Sequence, residues 1–128
     1  MEARVTQISV VIVDPHHLVR AGFSLILQSV DGVRVLAECD STEQAIDAIE
    51  RQHPNLVLVS AKLGAESGLE LTRSIRALET EQPRILVMVG SRDGDLQDAA
   101  RDAGANGIVG KYATPDEIVD AVRDVMTA

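Results

Sequence analysis

Three residues with chemically capable side chains each follow a short apolar run: Asp14 after residues 8–13, Ser60 after 56–59 and Lys111 shortly after 108–109. A serine hydroxyl becomes a nucleophile only when a neighbouring base takes its proton. A carboxylate and an ammonium brought together form an ion pair and can also contact a charged ligand. Ser60 is flanked by Val59 and Ala61, so it lacks the Gly-x-Ser-x-Gly elbow that exposes a hydrolase nucleophile. What these side chains can do therefore depends on whether the fold brings them to one place.

The runs that precede them are uniformly apolar and bounded by turn residues. Ile8 to Val13 ends at Asp14-Pro15, and 56–59 lies between His53-Pro54 and Lys62-Leu63-Gly64. Such runs read as strands buried on both faces of a parallel sheet. Residues 33–37 and 85–89 add two more strands, and Ile108-Val109 a short last one. Between them the period changes to that of helices. From His17, a line through Leu18, Gly22 and Ile26 runs beside one through Val19, Phe23 and Leu27, giving a broad apolar stripe. Ser41 with Gln44, and Ser67 with Glu70, have capping-box spacing, and Thr114-Pro115-Asp116-Glu117 combines N-cap, Pro at N1 and box Glu. Leu71, Ile75 and Leu78 line the third helix. Leu96, Ala99, Ala100 and Ala103 line the fourth, closed by Gly104, and Ile118, Ala121, Val122 and Val125 line the fifth. The segment from Gly64 to Gly68 reads as loop. The order βαβαβαβαβα predicts a doubly wound α/β fold, a five-stranded parallel sheet of order 2-1-3-4-5 with helices on both faces. Its site lies beyond the carboxyl ends of the strands, where Asp14, Pro15, Ser60, Val89, Gly90 and Lys111 stand.

Bulk properties agree. The chain of 128 residues predicts one domain, 1–128; hydrophobic residues make up 45% and a net charge of −8 argues against a nucleic-acid surface within it. Cys39 is the only cysteine, which excludes an internal disulfide and fits a reducing compartment. No basic-then-apolar leader opens the sequence, and no apolar run nears ~18 residues, so a cytoplasmic location without a membrane span is expected.

Residues 10–23, Val-Val-Ile-Val-Asp-Pro-His-His-Leu-Val-Arg-Ala-Gly-Phe, resemble the opening of the receiver domains of bacterial response regulators. The likeness is greatest to the NarL/FixJ (LuxR-type) class, whose receiver precedes a helix-turn-helix domain. Pro-Asn-Leu-Val-Leu-Val (54–59), Ser-Gly-Leu-Glu-Leu (67–71) and Ala-Gly-Ala-Asn-Gly-Ile-Val-Gly-Lys with Thr-Pro-Asp-Glu-Ile (103–118) continue the resemblance, which spans 8–127. It implies the CheY-like three-layer fold, homodimerisation, a histidine kinase or other signalling protein as partner, and DNA contact only through a domain outside this chain. Receivers of this kind accept a phosphoryl group on an aspartate after strand 3. An acidic pair after strand 1 holds Mg²⁺, and a Thr or Ser follows strand 4 and a Lys strand 5.

Carried over residue by residue, the resemblance makes Asp14 the first acid and Lys111 the lysine. Pro15 stands at the second acid, Ser60 at the phosphoacceptor and Val89 at the Thr/Ser position, while Ile108 lies where an aromatic lever often sits. Mg²⁺ requires near-octahedral oxygen ligation, and Asp14 alone offers little, so no cofactor is expected and metal binding should be weak or absent. Ser60 cannot form an acyl phosphate, and Val89 has no hydroxyl. These departures predict a pseudo-receiver that is not an enzyme, acting in transcription by dimerisation or partner contacts. A small-molecule sensor with its ligand against Lys111 and a stand-alone adaptor on a kinase are the alternatives. Asp14 and Lys111 should face each other, either as a residual salt bridge or as a pair that mimics the phosphorylated state. His16-His17 could suggest a metal site, but a capping or surface role is favoured. Cys39 reads as a small core residue, Arg73, Arg76, Arg84 and Arg92 as scattered solvated charges, and any surplus apolar residue beside Met126 as material for a dimer face.

Overall fold

The computed structural model describes residues 7–90 and 94–127. Strands β1 (Ile8–Val13), β2 (Val33–Cys39), β3 (Leu56–Ser60), β6 (Arg84–Val89) and β7 (Gly107–Gly110) form one parallel sheet. Its order is β2-β1-β3-β6-β7. Two further strands, β4 (Lys62–Leu63) and β5 (Glu66–Ser67), make a small antiparallel hairpin. With that hairpin set aside, the order is the expected 2-1-3-4-5. The loop reading of Gly64 to Gly68 is thereby corrected in part, because Gly64 adopts φ 66° and lets the chain turn back on itself.

Helices α1 (His17–Gln28), α2 (Thr42–Gln52), α3 (Gly68–Arg76), α4 (Gly94–Ala103) and α5 (Pro115–Thr127) cover the two faces. Val11, Val13, Val57, Val59, Ile85 and Val87 pack on one face with α2, α3 and α4. Val10, Ile12, Leu56, Leu58, Leu86 and Met88 pack on the other with α1 and α5. Period-2 alternation thus serves two cores at once, which is why the strands read as continuous apolar runs. Among the described residues no helix is long and apolar enough to cross a membrane.

The ends of the helices follow local chemistry. Thr114 and Glu117 form the reciprocal box at α5, Glu117 N–H to Thr114 Oγ1 at 3.2 Å and Thr114 N–H to Glu117 Oε1 at 2.9 Å. The other two boxes are half made: Ser41 and Ser67 cap their helices, but Gln44 accepts from the Asp40 N–H and Glu70 turns to Arg73. At the end of α4, Gly104 takes φ 109° and the Ala105 N–H reaches the Ala100 carbonyl at 3.0 Å, a Schellman closure.

Two readings of side-chain environment are revised. Arg76 is no solvated charge: its guanidinium donates to the carbonyls of Gly104 at 2.9 Å and Pro83 at 2.7 Å, to Gln82 at 3.0 Å and to Asn106 at 2.8 Å. It ties α3 to the segments entering β6 and β7. Arg92 lies outside the described residues. The α1 stripe is also narrower than its sequence suggests. Phe23 and Leu27 are buried and Val19 and Ile26 pack beside them, but Leu18 of the expected stripe is 83% exposed, and Leu25, outside that stripe, is 73% exposed. One sheet face can cover only one side of a helix, and Phe23 and Leu27 take that side.

Candidate functional site

Asp14 directly follows β1 and is fully buried. Its backbone N–H donates to the Cys39 carbonyl at 3.0 Å, and its own carbonyl accepts from Arg20 Nη1 at 2.7 Å. Its side chain is equally occupied. Oδ1 accepts the His16 backbone N–H at 2.7 Å and lies 3.1 Å from His16 Nδ1, and Oδ2 accepts from Lys111 Nζ at 2.6 Å. Burial alone raises the carboxyl pKa. The hydrogen bonds from Lys111 and from His16, with the charge of Lys111, outweigh it and hold Asp14 below the ordinary carboxylate value.

Lys111 follows β7, with its N–H on the Val89 carbonyl at 2.8 Å. Since β3 and β6 lie between β1 and β7, the ion pair passes across the carboxyl ends of the two central strands. Ser60 is the last residue of β3, 1% exposed, in register with Met88. Val13 pairs with Val59, so Asp14 and Ser60 follow neighbouring positions on adjacent strands. Val89 ends β6 and is buried, and Ile108 packs against the core at the β7 position beside Val87. Pro15 lies between Asp14 and His16 with no side-chain oxygen.

His16 and Arg20 were not singled out for this site by their sequence. The signal was present: Asp-Pro opens turns, and an Asp side chain accepting the N–H two residues on is an Asx-turn. That turn, rather than a side-chain cap of α1, fixes His16. Arg20 Nε also lies 3.7 Å from Glu38 Oε1 and makes no hydrogen bond. Cys39 is buried as a core residue, and burial, reinforced by the Asp40 charge, pushes its thiol up to about 11.

The donor set does not fit Mg²⁺. Both Asp14 oxygens are engaged, Pro15 offers none, and among the described residues no group of three or more His, Cys, Asp or Glu could hold a metal.

Known proteins place this architecture. The model of the response regulator receiver domain matches residues 10–123. The chain is 35% identical over 118 residues to the response regulator UvrY of Escherichia coli (strain K12), covering 92% of this chain and 54% of UvrY. It thus spans about half the length of that curated relative. Among solved structures, the signal receiver domain assigned to NarL from Mycobacterium tuberculosis superposes with a TM-score of 0.88 at 27% identity, covering 96% of this chain and 98% of that one. A two-component response regulator of the LuxR family from Aurantimonas sp. SI85-9A1 gives 0.89 at 28% identity, covering 95% and 86%. By the extent of these matches and the strand order that underlies them, this chain belongs to the response regulator receiver domain family.

Proposed function

We propose that the chain is a pseudo-receiver: a receiver-fold module that does not run the aspartyl-phosphate cycle and signals by protein contact. The observation that carries the reading is the closed Asp14–Lys111 ion pair at 2.6 Å, lying across the end of β3, where Ser60 stands in place of a carboxylate. A phosphorylatable site needs that carboxylate, a second acid for Mg²⁺ and a hydroxyl after β6; Ser60, Pro15 and Val89 supply none of these. Lys111, which would meet a phosphoryl oxygen, is instead neutralised internally. Ser60 has no base, since the ring of His16 is directed at Asp14, so an enzymatic role is not part of the proposal.

The likeness to UvrY and to a LuxR-family regulator supports a place in a two-component-type transcription regulator. The domain would work in the cytoplasm as a homodimer, with a histidine kinase or other signalling protein as a further partner. DNA would be bound by a domain outside these 128 residues. The alternative of a metabolite sensor needs room beside Lys111. A cavity of about 200 Å³ lies elsewhere, between α4 and β7, lined by Gln97, Arg101 and Asn106 among others.

A Mg²⁺ titration followed by amide NMR shifts at Asp14, Ser60 and Lys111 tests the reading. The expected result is no saturable shift at millimolar Mg²⁺. A saturable shift lost in Asp14→Asn would contradict it.

A further inference from the structure

The surface left over by the core lies on α1. Leu18 and Leu25, two turns apart, project from the same side of the helix at 83% and 73% exposure. Between them lie Ala21 and Gly22, both partly exposed, and a side chain built on Gly22 would meet nothing within 4 Å. The face therefore reads Leu-x-x-Ala-Gly-x-x-Leu, the same in both directions about the Ala21–Gly22 bond. A helix face with this internal symmetry is complementary to itself when turned end for end. Across a two-fold axis through that bond, Leu18 of one copy meets Leu25 of the other twice over. The two small residues let the helix backbones approach closely at the centre.

Charge selects the same occupant. The chain carries −8 overall, and any two copies meeting through a carboxylate-bearing surface repel. α1 is the one helix with no Asp or Glu: α2 carries Glu43 and Asp47, α3 Glu70, α4 Asp95 and Asp98, and α5 Asp116 and Glu117. It also has no acid in its first turn and no base in its last, so neither end of its dipole is compensated from within. An antiparallel pair supplies what each end lacks. The N-terminal end of one helix, with His17, lies by the C-terminal carbonyls of the other.

We infer that α1 is the homodimer face, two copies packing antiparallel about Ala21–Gly22 with Leu18 against Leu25. This rests on the dimeric reading proposed above and names its surface. Sedimentation equilibrium of the full chain over a concentration series tests it. Leu18→Glu and Leu25→Glu, at exposed positions that leave folding intact, should each weaken dimerisation about tenfold or more. Gly22→Leu, for which the monomer has room, should weaken it comparably while thermal unfolding stays the same or rises. A mixture of Leu18→Cys and Leu25→Cys chains should cross-link on oxidation, and each alone should cross-link poorly, with buried Cys39 silent. A dimer that ignores all three weakening substitutions, or efficient cross-linking of Leu18→Cys with itself, overturns the inference and leaves the pseudo-receiver reading standing. A wild-type chain that stays monomeric overturns the inference and removes dimerisation from that reading, without touching the claim about phosphoryl chemistry.

Discussion

Lys111 Nζ stands 2.6 Å from Asp14 Oδ2, although the strands they follow, β7 and β1, are separated in the sheet by β3 and β6. The lysine therefore closes the carboxyl edge of the sheet over the position of Ser60. Asp14 is inaccessible, while Lys111 keeps a quarter of its side chain in solvent. Desolvating Asp14 is tolerable only while its partners remain.

Lys111→Met should accordingly destabilise the fold by about 2 kcal/mol, less than for a fully buried pair because Lys111 is partly solvated. Adding Asp14→Asn to that variant should recover part of the loss, because the uncompensated charge goes. Urea midpoints of the two single variants and the double variant give the coupling directly. Strictly additive losses would mean that the two groups do not interact.

The pH dependence follows from the same pair. The folded pKa of Asp14 lies below its ordinary value of 3.8, so folding favours the ionised form. Its contribution to stability is complete above the unfolded value and is lost as pH falls through the folded one. Below about pH 4 the wild-type chain should lose stability more steeply than Asp14→Asn, and the two acid-unfolding curves should differ in slope there.

Close backbone approach at Gly68 seats α3 against the end of β3. A Cβ at this position would stand 1.8 Å from the Ser60 carbonyl oxygen, and the Gly68 N–H is already bonded to the Ala61 carbonyl at 2.9 Å. Gly68→Ala should therefore cost about 3 kcal/mol, as overpacking against an immobile backbone does. The measurement is the shift in urea midpoint at unchanged slope.

Cys39 should be unreactive in the folded chain. A rise of its pKa from 9.0 to about 11 lowers the thiolate fraction at neutral pH about a hundredfold before access is considered. Ellman's reagent should label the native chain at least that much more slowly than the urea-unfolded chain. Equal rates would place the thiol at the surface.

Much of this was legible in the sequence because the strands speak plainly. Runs such as residues 56–59, apolar without alternation, specify a two-faced sheet, and the helices between them fix its order. The positions of Asp14, Ser60, Val89 and Lys111 follow from strand ends alone. What stayed hidden depends on direction rather than pattern. His16 stays exposed at 69% of its side chain, as a surface reading expects, but the turn at Asp14-Pro15 lays its ring against the buried Asp14, which no helix-face argument anticipates. Leu18 shares the periodicity of the buried stripe but falls on its outer side. Arg76 resembles any surface arginine until α3, β6 and β7 converge around it.

The central claim is that this receiver fold carries no phosphoryl chemistry, and intact-mass spectrometry after incubation with acetyl phosphate and Mg²⁺ tests it most directly. The expected spectrum is the unmodified chain. A Mg²⁺-dependent phosphoryl adduct that disappears in Asp14→Ala would contradict it.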